Sequence, residues 1–238
     1  MQNNQNLTQK NSDVPLLDGE RIDDLQYNGL KIIQNANQYC FSSDAVLLCN
    51  FVKAGKNDSI ADLCSGSGVV GILAQAKTGA KKLVMVEKQP QLADMCARSL
   101  VLNNLQNCAQ VLNIDACDAP KVLGNESFDV VCANPPYYLT NGKKLSGRPN
   151  IDMAKFEIDF NFDKLCGVTS KILKYGGKFF TINDSSRIAE LLATLTKYNL
   201  QPKVIQFVYP KNNFQSNVVL IQATKYGKAG AKVYYKKI

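Results

Sequence analysis

Ser59-Ile60-Ala61-Asp62-Leu63-Cys64-Ser65-Gly66-Ser67-Gly68-Val69-Val70-Gly71 decides the fold of this 238-residue chain. Residues 59–64 read as a short buried strand, residues 65–68 as a turn, and Val69 to Lys77 as a helix. Glycines at a strand-to-helix turn let the backbone approach a ligand closely, and the first N–H groups of the helix face that ligand. Residues 66–71 also satisfy GxGxxG, the spacing of dinucleotide-binding folds, so a nicotinamide-dependent dehydrogenase is one reading. Asp62 opposes it. A carboxylate just before the turn repels a pyrophosphate and favours a cationic ligand instead.

Three more strands follow the same plan. Lys82 to Val86 ends in Glu87, which can accept hydrogen bonds from two ribose hydroxyls or stand as a solvated strand end. Gln91 to Asn104 is helical, with Leu92, Met95, Cys96, Ser99 and Leu100 on one face. Ala109 to Ile114 leads to Asp115, suited to accept from an adenine amino group, and Phe128 to Ala133 ends in Asn134. In a doubly wound sheet the carboxyl ends of parallel strands line one crevice, so Asp62, Glu87, Asp115 and Asn134 are expected to converge there.

Asn134-Pro135-Pro136-Tyr137 closes the fourth strand. Neither proline has an N–H, and each fixes φ near −65°, so the strand must stop. Beyond an ordinary turn, this leaves an Asn amide oxygen and a Pro135 carbonyl able to accept from one NH₂ group. Tyr137 adds a stacking surface. That equipment suits a flat heterocycle with an exocyclic amine.

Elsewhere the elements are plainer. Leu25 to Gln34 reads as a strand pair turning at Asn28-Gly29. Ala45 to Val52 is a helix for which Ser43 or Asp44 is either the cap or a contact to a cofactor's amino-acid end. Residues 138–155 show little periodicity but carry Lys143, Lys144, Arg148 and Lys155, as a phosphate-contacting loop or a solvated one. Phe162 to Leu173 is a helix, Tyr175-Gly176-Gly177 a tight turn and Lys178 to Ile182 a strand. A helix capped by Ser185 or Ser186 then runs through Tyr198. Strands over 204–208 and 218–223 form a hairpin that brings one antiparallel strand into the sheet. The tail from Lys225 interleaves Lys232, Lys236 and Lys237 with Tyr226, Tyr234 and Tyr235, a pattern suited to single-stranded RNA or to a solvated terminal strand.

Composition narrows the chemistry. The formal charge of +8 favours a polyanionic partner, because cations bound along phosphates release condensed counterions. The chain has no His, which removes imidazole-dependent triads and general bases. Its eight cysteines form no CxxC pair and mostly lie in apolar runs, so reduced buried thiols in a cytoplasmic protein are expected, with no metal. No apolar run reaches a membrane span, and the polar opening from Met1 is unlike a secretory signal. Residues 1–15 are expected to be a disordered tail, ahead of one domain over 16–238 with a cap segment at 16–55 and a catalytic core at 56–238.

Asp62-Leu63-Cys64-Ser65-Gly66-Ser67-Gly68 together with Asn134-Pro135-Pro136-Tyr137 resembles the class I S-adenosylmethionine-dependent methyltransferases that act on exocyclic nitrogens. Residues 20–26, Phe41 to Leu48 and Phe207-Val208-Tyr209-Pro210-Lys211 are similar to the bacterial tRNA1(Val) (adenine(37)-N6)-methyltransferases. The resemblance implies an α/β fold with a mostly parallel, Rossmann-like seven-stranded sheet of order 3-2-1-4-5-7-6 and a short N-terminal cap. It implies S-adenosylmethionine as cofactor, held by Ser43, Asp44, Asp62, Cys64, Gly66, Gly68, Glu87, Asp115 and Asn134. Asn134, Pro135 and Tyr137 become the catalytic set, and Lys143, Lys144, Arg148, Lys155, Lys236 and Lys237 the RNA contacts. The partner is a tRNA anticodon stem-loop, approached by a monomer. Two positions depart from the pattern. Cys64 stands where many relatives have glycine, so the turn there is expected to avoid a glycine-only conformation, and 154–157 lacks an Arg-His pair. The same motifs leave open N6-adenine methylation of DNA or rRNA, methylation of a glutamine side chain, and a non-catalytic RNA-binding module. About 55 residues precede the glycine loop, too few for the helical domain of the glutamine enzymes.

Overall fold

Alternation of short apolar runs with amphipathic segments predicts a sheet covered by helices on both faces, and the computed structural model has that form over its described residues, 14–140, 145–212 and 215–238. An N-terminal hairpin, β1 (Glu20–Asp24) and β2 (Lys31–Asn35), precedes α1 (Ser43–Phe51). The alternating core is β3 (Ser59–Leu63), α2 (Val69–Thr78), β4 (Lys82–Val86), α3 (Pro90–Leu102), β5 (Ala109–Leu112), α4 (Ala119–Leu123) and β6 (Phe128–Ala133). Then come α5 (Pro149–Lys155), α6 (Phe162–Ile172), β7 (Leu173–Asp184), α7 (Ile188–Lys197), β8 (Leu200–Tyr209), β9 (Val218–Lys225) and β10 (Lys232–Lys237).

The large sheet runs β10-β8-β9-β7-β6-β3-β4-β5. Strands β3 to β7 are mutually parallel, while β9 is antiparallel to both β7 and β8. Numbered from β3, seven of these strands have the order 3-2-1-4-5-7-6. The eighth goes beyond the expected seven: residues 232–237 join the edge parallel to β8, which is the solvated terminal strand that was one of the two readings of the tail. β3 and β6 sit mid-sheet with both faces covered, which is why they read as continuous apolar runs. One face packs Ile60, Val130, Cys132 and Phe180 against α1 and α2. The other packs Val131, Ala133, Phe179 and Ile221 against α6 and α7.

Side chains of α3 complete the cap. The Ile33 N–H donates to Ser99 Oγ at 3.0 Å, and Asn103 both accepts from the Lys31 N–H at 2.8 Å and donates to its carbonyl at 2.6 Å. These bonds satisfy backbone groups along one edge of β2. Arg98 clasps Glu20 through both Nη atoms, at 2.7 and 2.6 Å, and also donates to the Pro15 carbonyl. Val14 packs beside Ile33, Leu92 and Met95. Residues 1–13, most of the expected tail, lie outside the described residues.

Several local expectations shift by a residue or a turn. The cap of α1 is Ser42, whose Oγ accepts from the Asp44 N–H, in place of Ser43 or Asp44. Asp184, with Oδ1 on the Ser186 N–H at 2.8 Å, caps the 3-10 turn before α7 in place of either serine. Residues 175–177 lie within β7, where its register with β6 breaks. Residues 138–155 are not uniformly irregular, because Pro149 opens the two-turn helix α5. Cys64 adopts φ 59°, the left-handed region, and so takes the conformation that glycine would have held.

Candidate active site

Beyond the carboxyl ends of β3, β4 and β6 lie three contiguous clefts. The first spans about 880 Å³, part of it open to solvent, between the glycine loop, the end of β4 and α5. Gly66 lines it with φ 56° and nothing within 4 Å of where a Cβ would stand, so the loop offers bare backbone to a ligand. Glu87 is the buried acid of this cleft. Its Oε2 accepts from the Gly66 N–H and its Oε1 from the Gln89 N–H, both at 2.8 Å. Burial pushes its carboxyl upward in pKa, partly offset by these two bonds. Each oxygen keeps a lone pair for a further donor. Asp115 stands nearby, taking the Cys117 N–H at 2.9 Å and Lys88 Nζ at 3.1 Å. Burial raises its pKa, but the Cys117 and Lys88 contacts outweigh that and hold it below the usual carboxylate range. Lys88, which also approaches Asp159 at 3.6 Å, is the one cation among the described lining residues against two carboxylates, Glu87 and Asp115, so the ionisable lining is acidic on balance.

Asp62 does not line this cleft. It is 1% exposed and points beneath the loop, with Oδ2 accepting from the Gly71 N–H at 2.8 Å and Oδ1 from the Cys132 thiol at 3.5 Å. Burial pushes its pKa up to about 7. A Cβ on Gly71 would come within 3.0 Å of that carboxylate and 2.8 Å of Met85 Sδ. Gly68, at φ 97°, likewise faces inward, where a Cβ would meet Cys96 Sγ at 2.5 Å. Two of the three glycines in the GxGxxG spacing thus serve close packing, and only Gly66 serves the cleft.

The second cleft adjoins the first and shares Tyr39, Asn134 and Ala154 with it. Pro135, Tyr137 and Tyr138 line it, together with Arg21, Ala36, Gln38, Cys40 and Lys155. Among the described residues the Asn134 side chain and the Pro135 carbonyl have no hydrogen-bond partner, and Asn134 opens onto both clefts. The Tyr137 hydroxyl donates to Asp44 Oδ2, which fixes the ring, and burial followed by that carboxylate push the phenol's pKa up. The third cleft lies past Tyr137 and Tyr138, bounded by Asp184, Phe207, Tyr209 and Asn217.

Arg187 locks the proline loop. Its Nη1 donates to the Tyr137 carbonyl at 2.9 Å and to Glu157 Oε1 at 2.8 Å, while Nη2 reaches Glu190 at 2.6 Å. The Tyr138 N–H and carbonyl pair with the carbonyl of Lys155 and the N–H of Glu157, joining the loop to the end of α5. Across the second cleft, Asn150 Nδ2 donates to the Asn37 carbonyl at 2.9 Å and to Gln38 Oε1 at 2.7 Å. Gln34 ties the cap to the glycine loop: its Nε2 donates to Ser67 Oγ and its Oε1 accepts from the Phe41 N–H.

Of the residues predicted from sequence, Cys64, Gly66, Glu87, Asp115 and Asn134 surround the first cleft, and Pro135 and Tyr137 meet Asn134 in the second. Asp44 lies by Tyr137, between the second and third clefts, and Ser43 is not among the lining residues of any of the three. Lys155 lines the second cleft, whereas Arg148 sits exposed before α5. Lys143 and Lys144 lie outside the described residues. Lys236 and Lys237 pair with Val208 and Tyr209 at the sheet edge. At ~4.8 Å per strand they stand four strands from β6, about 19 Å across the sheet. Gln34, Asn150 and Arg187 escaped sequence reasoning. The one available signal was a lone polar Gln34 within Ile32-Ile33-Gln34.

A sheet of this order with a glycine loop after its first core strand defines the class I methyltransferase fold. The methyltransferase small domain family matches residues 38–151, just under half of the chain and the stretch that carries the glycine loop and Asn134. The chain resembles the tRNA1(Val) (adenine(37)-N6)-methyltransferases: it is 28% identical to that of Shewanella amazonensis over 57% of this chain and 57% of the relative's length. A putative protein N5-glutamine methyltransferase of Methanocaldococcus jannaschii is 30% identical over 49% of this chain and 56% of its own. Thus the chain spans under three fifths of either relative. Among solved structures, one described as a predicted O-methyltransferase from Agrobacterium tumefaciens superposes with a TM-score of 0.64 at 23% identity, covering 82% of this chain and 86% of that one.

Proposed function

We propose that this chain, as one domain over 16–238 acting in the cytoplasm as a monomer without a metal, methylates the exocyclic N6 of an adenosine in tRNA. The specific acceptor is the anticodon-loop adenosine 37 of tRNA1(Val), and the donor is S-adenosylmethionine. One observation carries the reading: two unpaired acceptors, the Asn134 amide oxygen and the Pro135 carbonyl, stand where an acidic cleft opens onto a basic one. A cationic donor suits the first cleft and a polyanionic acceptor the second.

The first cleft fits an adenosyl ligand bearing positive charge. Gly66 leaves space against its backbone, Glu87 has lone pairs for ribose hydroxyls, and Asp115 has one for an adenine amine. Phe41, Val86, Leu92 and Ala116 give this cleft apolar surface. When bound, S-adenosylmethionine would supply an electrophilic methyl group whose bond to sulfur breaks as the bond to nitrogen forms, the electron pair leaving on sulfur as the neutral thioether. Asn134 and Pro135 accept from the two N–H bonds of the incoming amine, which draws its lone pair out of ring conjugation and stabilises the positive charge that grows on nitrogen. Holding amine and methyl in line can contribute roughly 7–11 kcal/mol through orientation. Tyr137, fixed by Asp44, stacks on the extruded base for about 1–3 kcal/mol. The methylated nitrogen is acidic and loses its proton to water, so no imidazole is needed.

Similar acceptors can hold a glutamine carboxamide, and the Methanocaldococcus jannaschii relative bears such a name. Arg21 and Lys155 in the second cleft favour nucleic acid over a neutral side chain. Nucleoside mass spectrometry of tRNA from cells with and without the gene tests the reading. N6-methyladenosine is expected to disappear with the gene and to return with the wild type but not with Asn134→Ala. That variant is expected to keep S-adenosylmethionine affinity by calorimetry. Unchanged tRNA adenosines in the deletion strain defeat the assignment.

A further inference from the structure

The second cleft draws one cation from each of two separate elements. Arg21 comes from β1 of the N-terminal hairpin and Lys155 from the end of α5. The Asn150 bonds to Asn37 and Gln38 hold the hairpin side and the α5 side together. Lys155 has no ion-pair partner among the described residues. Arg21 is oriented by Asp23, which takes Nε at 2.8 Å and Nη2 at 3.0 Å. Beyond Asp23 the guanidinium meets, among the described residues, only the weakly accepting Cys40 sulfur, so Nη1 and one Nη2 N–H remain for a stronger acceptor such as an anion. The pair is half exposed on the arginine side, so the contact with Asp23 is weak enough to admit a second acceptor. Asp44 is the one carboxylate among the described lining residues, and it is engaged by Tyr137. The third cleft is the opposite case: Asp44 and Asp184 line it, with no cation among its described residues.

From this contrast we infer that Arg21 and Lys155 form a phosphate clamp on the backbone of the nucleotide whose base meets Asn134. The RNA strand then enters through the second cleft, and the N-terminal hairpin is part of the substrate site as well as a cover for α3. This inference rests on the proposed RNA substrate but concerns binding, which can be measured without methyl transfer. An arginine fork suits phosphate oxygens better than a lysine point charge does, and each phosphate contact adds to the salt dependence of binding.

The test is fluorescence anisotropy of labelled unmodified tRNA with the full chain over a series of KCl concentrations, alongside steady-state methylation. Arg21→Ala is expected to weaken binding about tenfold and to lower the slope of log K against log salt by ~0.7–0.9, the value of one phosphate contact. Arg21→Lys is expected to keep the slope. Lys121→Ala, which removes an exposed charge from α4, controls for net charge and is expected to leave the slope as it is. In the methylation assay the rise in KM for tRNA is expected to exceed the fall in kcat. An Arg21→Ala slope equal to wild type, an equal loss in Lys121→Ala, or no RNA binding by the wild type overturns the clamp. If no adenosine is methylated yet the Arg21→Ala slope still falls, the clamp stands and the acceptor assignment fails. If methylation proceeds with an unchanged slope, the clamp alone fails.

Discussion

Asp62 makes stability depend on pH in a direction opposite to that of most native carboxylates. Its carboxyl is sealed under the glycine loop, with one N–H and one thiol as donors, and burial pushes its pKa from 3.8 to about 7. Between those values the folded chain keeps a proton that the unfolded chain releases. The contribution of Asp62 is therefore fully present below about pH 4, falls as pH rises, and is lost above about pH 7. A shift of about three units at roughly 1.4 kcal/mol each amounts to about 4 kcal/mol. Asp62→Asn removes the titration while keeping an oxygen for the Gly71 N–H. Glu20, Asp115, Asp129, Asp163 and Glu190, all held low in pKa, carry the usual opposite dependence, which cancels when variant and wild type are compared at each pH. Urea unfolding followed by circular dichroism gives that difference by linear extrapolation. The variant is expected to gain about 4 kcal/mol on wild type between about pH 4 and about pH 8. A difference that stays flat across that range refutes the reasoning, because Asp62 would then be ionised at ordinary pH despite its burial.

The glycine loop supplies a paired prediction: Gly68→Ala, at φ 97° and with a Cβ 2.5 Å from Cys96 Sγ, is expected to cost about 2–4 kcal/mol of stability. Gly66→Ala, at φ 56° in open space, is expected to cost only about 1 kcal/mol, both read from urea midpoints. Arg187→Met leaves Glu157 buried without its cation and frees the Tyr137 carbonyl, so a loss of about 3–5 kcal/mol is expected. Pairing it with Glu157→Leu is expected to recover much of that loss in the same measurement.

What could be read in advance followed from short-range rules. The strand ends Glu87, Asp115 and Asn134 were legible because each closes an apolar run, and parallel strands in such a sheet deliver their ends to one crevice. Side-chain direction was not legible. Asp62 turns inward because the Gly71 N–H lies within reach and Gly71 has no Cβ to block it. Asp44 meets Tyr137 from 93 residues away, and Asn150 reaches Gln38 from 112, separations over which no local pattern speaks. α5, with seven residues, is too short to display a helical period. The eighth strand was legible only as an alternative: every residue of β10 faces solvent, so burial did not decide between a solvated terminal strand and an RNA-binding tail.

On the proposed reading, the electrostatics of the two clefts also bear on why β6 ends in Asn and not in Asp. A carboxylate would hold an amine more strongly than an amide does. At residue 134, however, it would open onto the cleft that already contains Glu87 and Asp115, and onto the one where Arg21 and Lys155 await phosphate. Ionised, it would repel Glu87 and Asp115 and draw Arg21 and Lys155 away from phosphate; protonated, it would turn one of its two oxygens into a donor. A neutral amide accepts at any pH and leaves the acidic first cleft to a cation and the basic second cleft to an anion. Asn134 is therefore the side chain that can stand on the boundary between two clefts of opposite sign and serve both.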